Sequence, residues 1–130
     1  MTNILFVCSK NRRRSPTAED IFTGHPDIEV RSAGLSNDAE EQCSTEDIEW
    51  ADTIFVMSRN QKQRLSRDFG RYLKQKQLIS LDIPDNYNRG DPELTDTLRR
   101  RVAAHLPALR PINLAPAKSQ RIRKRKLTLR

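Results

Sequence analysis

The apolar positions fall into short runs separated by longer polar stretches. Asn3-Ile4-Leu5-Phe6-Val7-Cys8 is a continuous apolar run, the pattern of a parallel strand covered on both faces. Ile28 to Ser32 predicts a second strand, closed by Ala33-Gly34; Thr53 to Met57 predicts a third, and Leu78 to Leu81 a fourth. Helical patterns fill the gaps. Ser15-Pro16-Thr17-Ala18-Glu19 reads as a helix start, with Ser15 as N-cap, Pro16 at the first helical position, and Glu19 and Asp20 near the positive end of the dipole. A helical turn is expected over Thr45 to Trp50 and a helix over Ser58 to Ser66. Another runs from Pro92 to Leu106, where Leu94, Leu98, Val102 and Leu106 recur every fourth residue as one apolar stripe. Strands alternating with helices predict an α/β fold, a parallel sheet with right-handed crossovers.

At 130 residues the chain is about the length of one domain, long enough to bury a real core. No apolar run approaches the ~20 residues of a membrane span, and the short run Ile4 to Val7 is no signal-peptide core, so no membrane association is expected and the cytoplasm is the expected compartment. Two cysteines, Cys8 and Cys43, exclude a disulfide scaffold and a four-ligand zinc site, and neither His25 nor His105 has a metal partner in the sequence; no metal or cofactor is expected. The net charge of +7 suggests nucleic acid until it is divided along the chain: residues 1–117 carry 17 basic and 17 acidic side chains, and residues 118–130 carry 7 basic and no acidic ones. We therefore expect one domain over 1–117 and a basic, mobile extension over 118–130, preceded by Pro107, Pro111 and Pro116, that either only solubilises the chain or makes weak contact with polyanions.

In open parallel sheets, ligands bind beyond the carboxyl ends of the strands. Three features converge there: Cys8 at the end of the first strand, the loop Ser9-Lys10-Asn11-Arg12-Arg13-Arg14 running into a helix N-terminus, and Asp82-Ile83-Pro84-Asp85 after the fourth strand. A loop of this length can turn successive backbone amides toward one centre above the positive end of a helix dipole, a nest in which phosphate fits. Arg14, fixed at the helix start, can bond two phosphate oxygens at once. The same field, with the Ser15 hydroxyl donating to its sulfur, leaves Cys8 ionised and nucleophilic near neutral pH. Asn11 suits the loop because asparagine tolerates left-handed backbone angles and its amide can tie neighbouring segments together. Arginine is frequent enough, 17 of 130 residues, that a cysteine and an arginine at this offset mean little by themselves. The serine that follows, the strand before and the helix after make the pattern specific. Ser9, Lys10, Asn11, Arg12, Arg13 and Ser15 are accordingly the expected phosphate-binding residues.

Residues Val7 to Glu19 resemble the signature loop of the low-molecular-weight protein tyrosine phosphatases, and Ser32-Ala33-Gly34 and Ala51 to Met57 resemble that family's second and third strand segments. The likeness covers roughly residues 3–106. It implies a four-stranded parallel sheet flanked by helices and metal-independent hydrolysis of phosphomonoesters through a phosphocysteine intermediate, with a phosphorylated protein or a small aryl phosphate as substrate. By motif position, Cys8 is the nucleophile, Arg14 the phosphate clamp, Ser15 the thiolate donor and Asn11 the loop organiser. Three departures mark a short variant. Arg13 stands where members often carry a second, protective cysteine, the stretch from Gly34 to Ala51 is short, and the family's Asp-Pro acid motif is absent in its usual form.

The general acid must then be chosen among Asp82, Asp85 and Asp91. Asp91 before Pro92 reads as a helix N-cap. Asp82 ends the fourth strand and can serve either as acid or as a cap for the turn at Pro84. Asp85 has room to swing over a phosphate, and Asp82-Ile83-Pro84-Asp85-Asn86 resembles the acid loop of the RNA polymerase II C-terminal-domain phosphatases, so Asp85 is favoured. Tyr87 either lines a slot for an aromatic ring or is an ordinary loop residue. Arg12 and Arg13 either recruit acidic flanks of a phosphoprotein or are simply solvated, and Trp50 reads as core. Two further readings remain: an arsenate reductase, which needs more cysteines than Cys43, and a non-catalytic module binding phosphate or nucleic acid, which gives no reason for a cysteine in the nest.

Overall fold

The structure, a computed structural model, describes residues 2–106. The basic tail and the three prolines before it lie outside the described residues. A four-stranded, all-parallel sheet forms from β1 (Thr2–Cys8), β2 (Ile28–Gly34), β3 (Thr53–Val56) and β4 (Gln77–Ser80), in the order β2-β1-β3-β4. Between and after the strands lie α1 (Arg14–Phe22), α2 (Thr45–Trp50), α3 (Arg59–Phe69) and α4 (Pro92–His105). The compact unit that carries the sheet runs through Leu98, and the described residues beyond it complete α4.

The unbroken apolar run of β1 is explained by its central place. Leu5 and Val7 join Ala33, Leu35, Ile48, Ile54, Val56 and Leu65 in one buried cluster on the face covered by α2 and α3. Phe6 points the other way and stacks on Phe55, with ring centroids 5.7 Å apart, and on Phe22 of α1 at 5.8 Å. Trp50 sits at the border of the first cluster, half-buried, with the Arg31 guanidinium 4.2 Å above its ring. In α4 the predicted stripe holds at Leu94, Leu98 and Val102, all fully buried, while Leu106 lies just past the helix end and is half-buried.

Most boundaries move by a residue or two from those predicted. The larger correction is at α1. Its N-cap is Arg13, without any side-chain cap; Ser15 lies inside the first turn, Pro16 follows it, and Glu19 and Asp20 fall in the last turn, away from the positive end of the dipole. The Ser-Pro pair looks like a cap and first position, but the serine hydroxyl is spent elsewhere, and the first amides of the helix carry no cap. α2 and α3 begin as side-chain caps should: Ser44 forms a reciprocal capping box with Asp47, and Ser58 accepts from the Gln61 amide. At α4, Asp91 Oδ1 accepts from the Glu93 amide at 2.9 Å, the capping role expected of it.

Candidate active site

Cys8 is the last residue of β1, so the chain leaves the sheet at its carboxyl edge directly into the loop 9–13. That loop is held from two sides. Along the β2 side, Leu35, Ser36 and Glu40 donate backbone amides to the carbonyls of Cys8, Ser9 and Lys10 at 3.0, 2.8 and 3.1 Å. Gly34 permits this approach: a Cβ there would stand 2.7 Å from the Ser9 carbonyl oxygen and 2.6 Å from the Ala39 Cβ. From the α3 side, the buried Gln61 accepts from the Met57 amide at 2.9 Å and donates to the Ser9 hydroxyl at 3.1 Å.

Inside the loop, Asn11 has φ 56°, the left-handed conformation anticipated for it, which turns its amide back onto Cys8 Sγ at 3.2 Å. Ser15 Oγ lies 2.9 Å from the same sulfur and 2.9 Å from Asn11 Oδ1. A hydroxyl has one proton. With Cys8 as thiol, its S–H points to Ser15 and Ser15 donates to Asn11; with Cys8 as thiolate, the Ser15 proton turns to sulfur and a second donor, the Asn11 backbone, is already in place.

Arg14 is buried beside this sulfur. One guanidinium NH2 group donates to the Ile83 carbonyl at 2.8 Å, while Nε is buried without a hydrogen-bond partner. Asp85 Oδ1 approaches Nε to 3.5 Å, an ionic contact without hydrogen-bond geometry, and reaches Arg13 at 4.0 Å. A cavity of about 290 Å³ is lined by Cys8, Lys10, Arg12, Arg13, Arg14 and Asp85. Around its rim Lys10 pairs with Asp38 at 3.2 Å and Arg12 with Glu40 at 3.8 Å. The hydrogen bond from Lys10 holds the Asp38 carboxyl below the usual carboxylate range.

Asp82 is placed elsewhere. Its φ of 55° turns it away, to accept from Ser80 at 2.7 Å and face Arg59 at 3.8 Å, in a separate cavity with Lys62 and Gln63. Tyr87 is half-buried and is not among the residues lining the Cys8 cavity. Cys43 sits on the sheet face opposite Cys8, in the apolar cluster with Leu5 and Val7, where burial pushes its thiol up to about 12. Among the described residues, no group of three His, Cys, Asp or Glu side chains is arranged to hold a metal ion, and no helix is long and apolar enough to cross a membrane. Sequence reasoning missed Gly34, Gln61 and the Ile83 carbonyl as parts of the site; Gly34 stood in a quoted motif only as a strand end, Ile83 only as a neighbour of the candidate acids, and Gln61 in none.

Comparison with known proteins agrees with this geometry. Residues 3–51 match the family described as low molecular weight phosphotyrosine protein phosphatase. No curated protein matches. Among solved structures, a mutant of YwlE from Bacillus subtilis is 25% identical, covering 82% of this chain and 99% of its own with a TM-score of 0.62. The low molecular weight protein tyrosine phosphatase SP-PTP from Streptococcus pyogenes is 18% identical (85% and 94% covered, TM-score 0.68), and the Drosophila arginine phosphatase DARP 19% (81% and 97%, TM-score 0.61). These likenesses bear out the family resemblance, the four-stranded α/β fold and the class of enzyme that comes with them, a cysteine-based protein phosphatase.

Proposed function

We propose that this chain, built on the low-molecular-weight phosphatase fold, hydrolyses phosphotyrosine and related aryl phosphates, with Cys8 as nucleophile, Arg14 as clamp and Asp85 as general acid. The observation that carries this reading is the Arg14 guanidinium: one nitrogen is fixed to Ile83, and the buried Nε beside it lacks a partner that a phosphoryl oxygen would supply. Cys8 Sγ attacks phosphorus in line, forming the S–P bond as the P–O bond to the leaving group breaks. The loop amides, the start of α1 and Arg14 carry the charge of the equatorial oxygens. Asp85 gives its proton to the departing oxygen, then takes one from water as that water displaces phosphate from sulfur. Ser15 and the Asn11 amide stabilise the thiolate each time it is released.

Asp85 supports the acid role better than Asp82 because it lines the cavity with Cys8 and Asp82 does not. Relay through Cys43, as an arsenate reductase requires, is opposed by its position on the other sheet face. Three of the similar structures, two of YwlE and one of DARP, are named arginine phosphatases, so the substrate test includes both classes. Purified protein in the presence of a chelator is expected to hydrolyse p-nitrophenyl phosphate and a phosphotyrosine peptide faster than phosphoserine or phosphoarginine peptides. Cys8→Ser should abolish turnover, and activity that survives this change would overturn the mechanism.

A further inference from the structure

We propose that Thr17 and the Asp20–Arg89 pair are positioning residues: together they form a seat on α1 that holds the acid loop, and through it Asp85, in register with Cys8 and Arg14. This rests on the phosphatase reading above. The segment from Leu81 to Asp91 joins β4 to α4 and carries Asp85 near its middle. Its first part is pinned to the sheet edge, by Leu81 N on the Val56 carbonyl, Ile83 N on the Met57 carbonyl and the Arg14 bond to the Ile83 carbonyl, each 2.8 Å. From Pro84 to Asn88 the described contacts to the loop of Cys8 are those of the Asp85 carboxylate alone. Ordering such a stretch of backbone costs conformational entropy at every residue, so a carboxyl in its middle needs a second anchor to stay in the cavity it shares with the sulfur.

Thr17 and Asp20, one turn apart on the same face of α1, supply it. Arg89 grips Asp20 with both Nε and a terminal nitrogen, at 3.1 and 3.2 Å, the bidentate fork that fixes orientation as well as distance. The Gly90 amide donates to Thr17 Oγ1 at 3.0 Å, and that hydroxyl donates to the Arg13 carbonyl at 2.6 Å. Thr17 is buried, and its single oxygen joins the residue just before the clamp to the far end of the acid loop. The ion pair itself is more than half exposed on both sides, where such a pair adds little to stability. Its effect belongs in the placement of the proton donor.

Proton donation matters for a poor leaving group and hardly for a good one, which separates placement of the acid from general damage. The test compares kcat and KM for phenyl phosphate and p-nitrophenyl phosphate in the full chain and in Asp85→Asn, Thr17→Val, Thr17→Ser, Arg89→Gln and the charge reversal Asp20→Arg with Arg89→Asp. Asp85→Asn should lower kcat on phenyl phosphate about a hundredfold or more. Thr17→Val and Arg89→Gln should lower it about tenfold while changing p-nitrophenyl phosphate by less than about twofold, a part of the whole acid contribution. Thr17→Ser, which keeps the hydroxyl, and the charge reversal should recover most of the loss. Equal losses on both substrates, no loss on either, or an Asp85→Asn variant indifferent to the leaving group would each overturn the inference. If Thr17→Val does not fold, the exposed Arg89→Gln decides. Absence of Cys8-dependent turnover in the unaltered chain would instead sink the underlying reading.

Discussion

Cys8 shows how one side chain's chemistry is set by atoms that sequence inspection names only in part. Asn11 and Ser15 were legible because their residue types fit a left-handed loop position and a hydroxyl beside sulfur: Asn11 has φ 56° and Ser15 Oγ lies 2.9 Å from Cys8 Sγ. The same serine was misread as a helix cap, since a Ser-Pro pair obeys the capping preference wherever its hydroxyl is free; here the sulfur and Asn11 claim it. Gly34 carries no such signal, because a close approach of two backbones is invisible until both are placed. Gly34→Ala should cost about 1–3 kcal/mol by urea unfolding and at least tenfold in activity, since the Ser9 carbonyl and Asn11 amide cannot both stay where they are. A variant with full activity would mean that the loop does not depend on that contact. Cys43 gives a pH-dependent expectation. Its thiol is raised from 9.0 to about 12 by burial, so the unfolded chain ionises first as pH climbs. The stability this group contributes is intact below pH 9 and is lost between pH 9 and about 12, so wild type should lose stability faster than Cys43→Ala across that window; parallel curves would contradict the burial.

At the level of elements, the strands and helices were readable because their periods are local: the unbroken run of β1, the fourfold spacing in α4 and the cap Asp91 each announce an element within its own segment, whereas the caps Ser44 and Ser58 emerge only in the structure. What joins elements was not readable. Gln61 appears in the sequence as one polar residue of a polar helix, yet it ties the start of α3 to both the end of β3 and the loop of Cys8. Gln61→Leu keeps the volume but strands the buried Met57 amide, an expected cost of about 1–3 kcal/mol by urea unfolding together with weaker phosphate binding. Unchanged stability would show that Met57 finds another acceptor. The choice between Asp82 and Asp85 has the same origin. Both belong to one short segment, and only the left-handed turn at Asp82, which sends the two carboxylates to different cavities, distinguishes them.

Across the whole molecule, the parallel sheet gathers at one edge what the sequence scatters over some eighty residues, from Cys8 to Arg89. The charge of that edge is less extreme than the run Arg12-Arg13-Arg14 suggests, because Asp38, Glu40 and Asp85 lie against its cations. Among the buried side-chain nitrogen and oxygen atoms of the described residues, Arg14 Nε is the one without a hydrogen-bond partner, a donor in reserve for an anion. If this donor and the loop amides hold a phosphoryl group while Cys8 bonds to it, the cysteine is phosphorylated in every catalytic cycle. Rapid quenching during turnover of p-nitrophenyl phosphate, followed by mass spectrometry of the peptide containing Cys8, reads that intermediate. One phosphoryl group on that cysteine within the first turnover, absent in Cys8→Ser, is the expected result, whereas steady turnover with Cys8 never modified would rule out the phosphocysteine route.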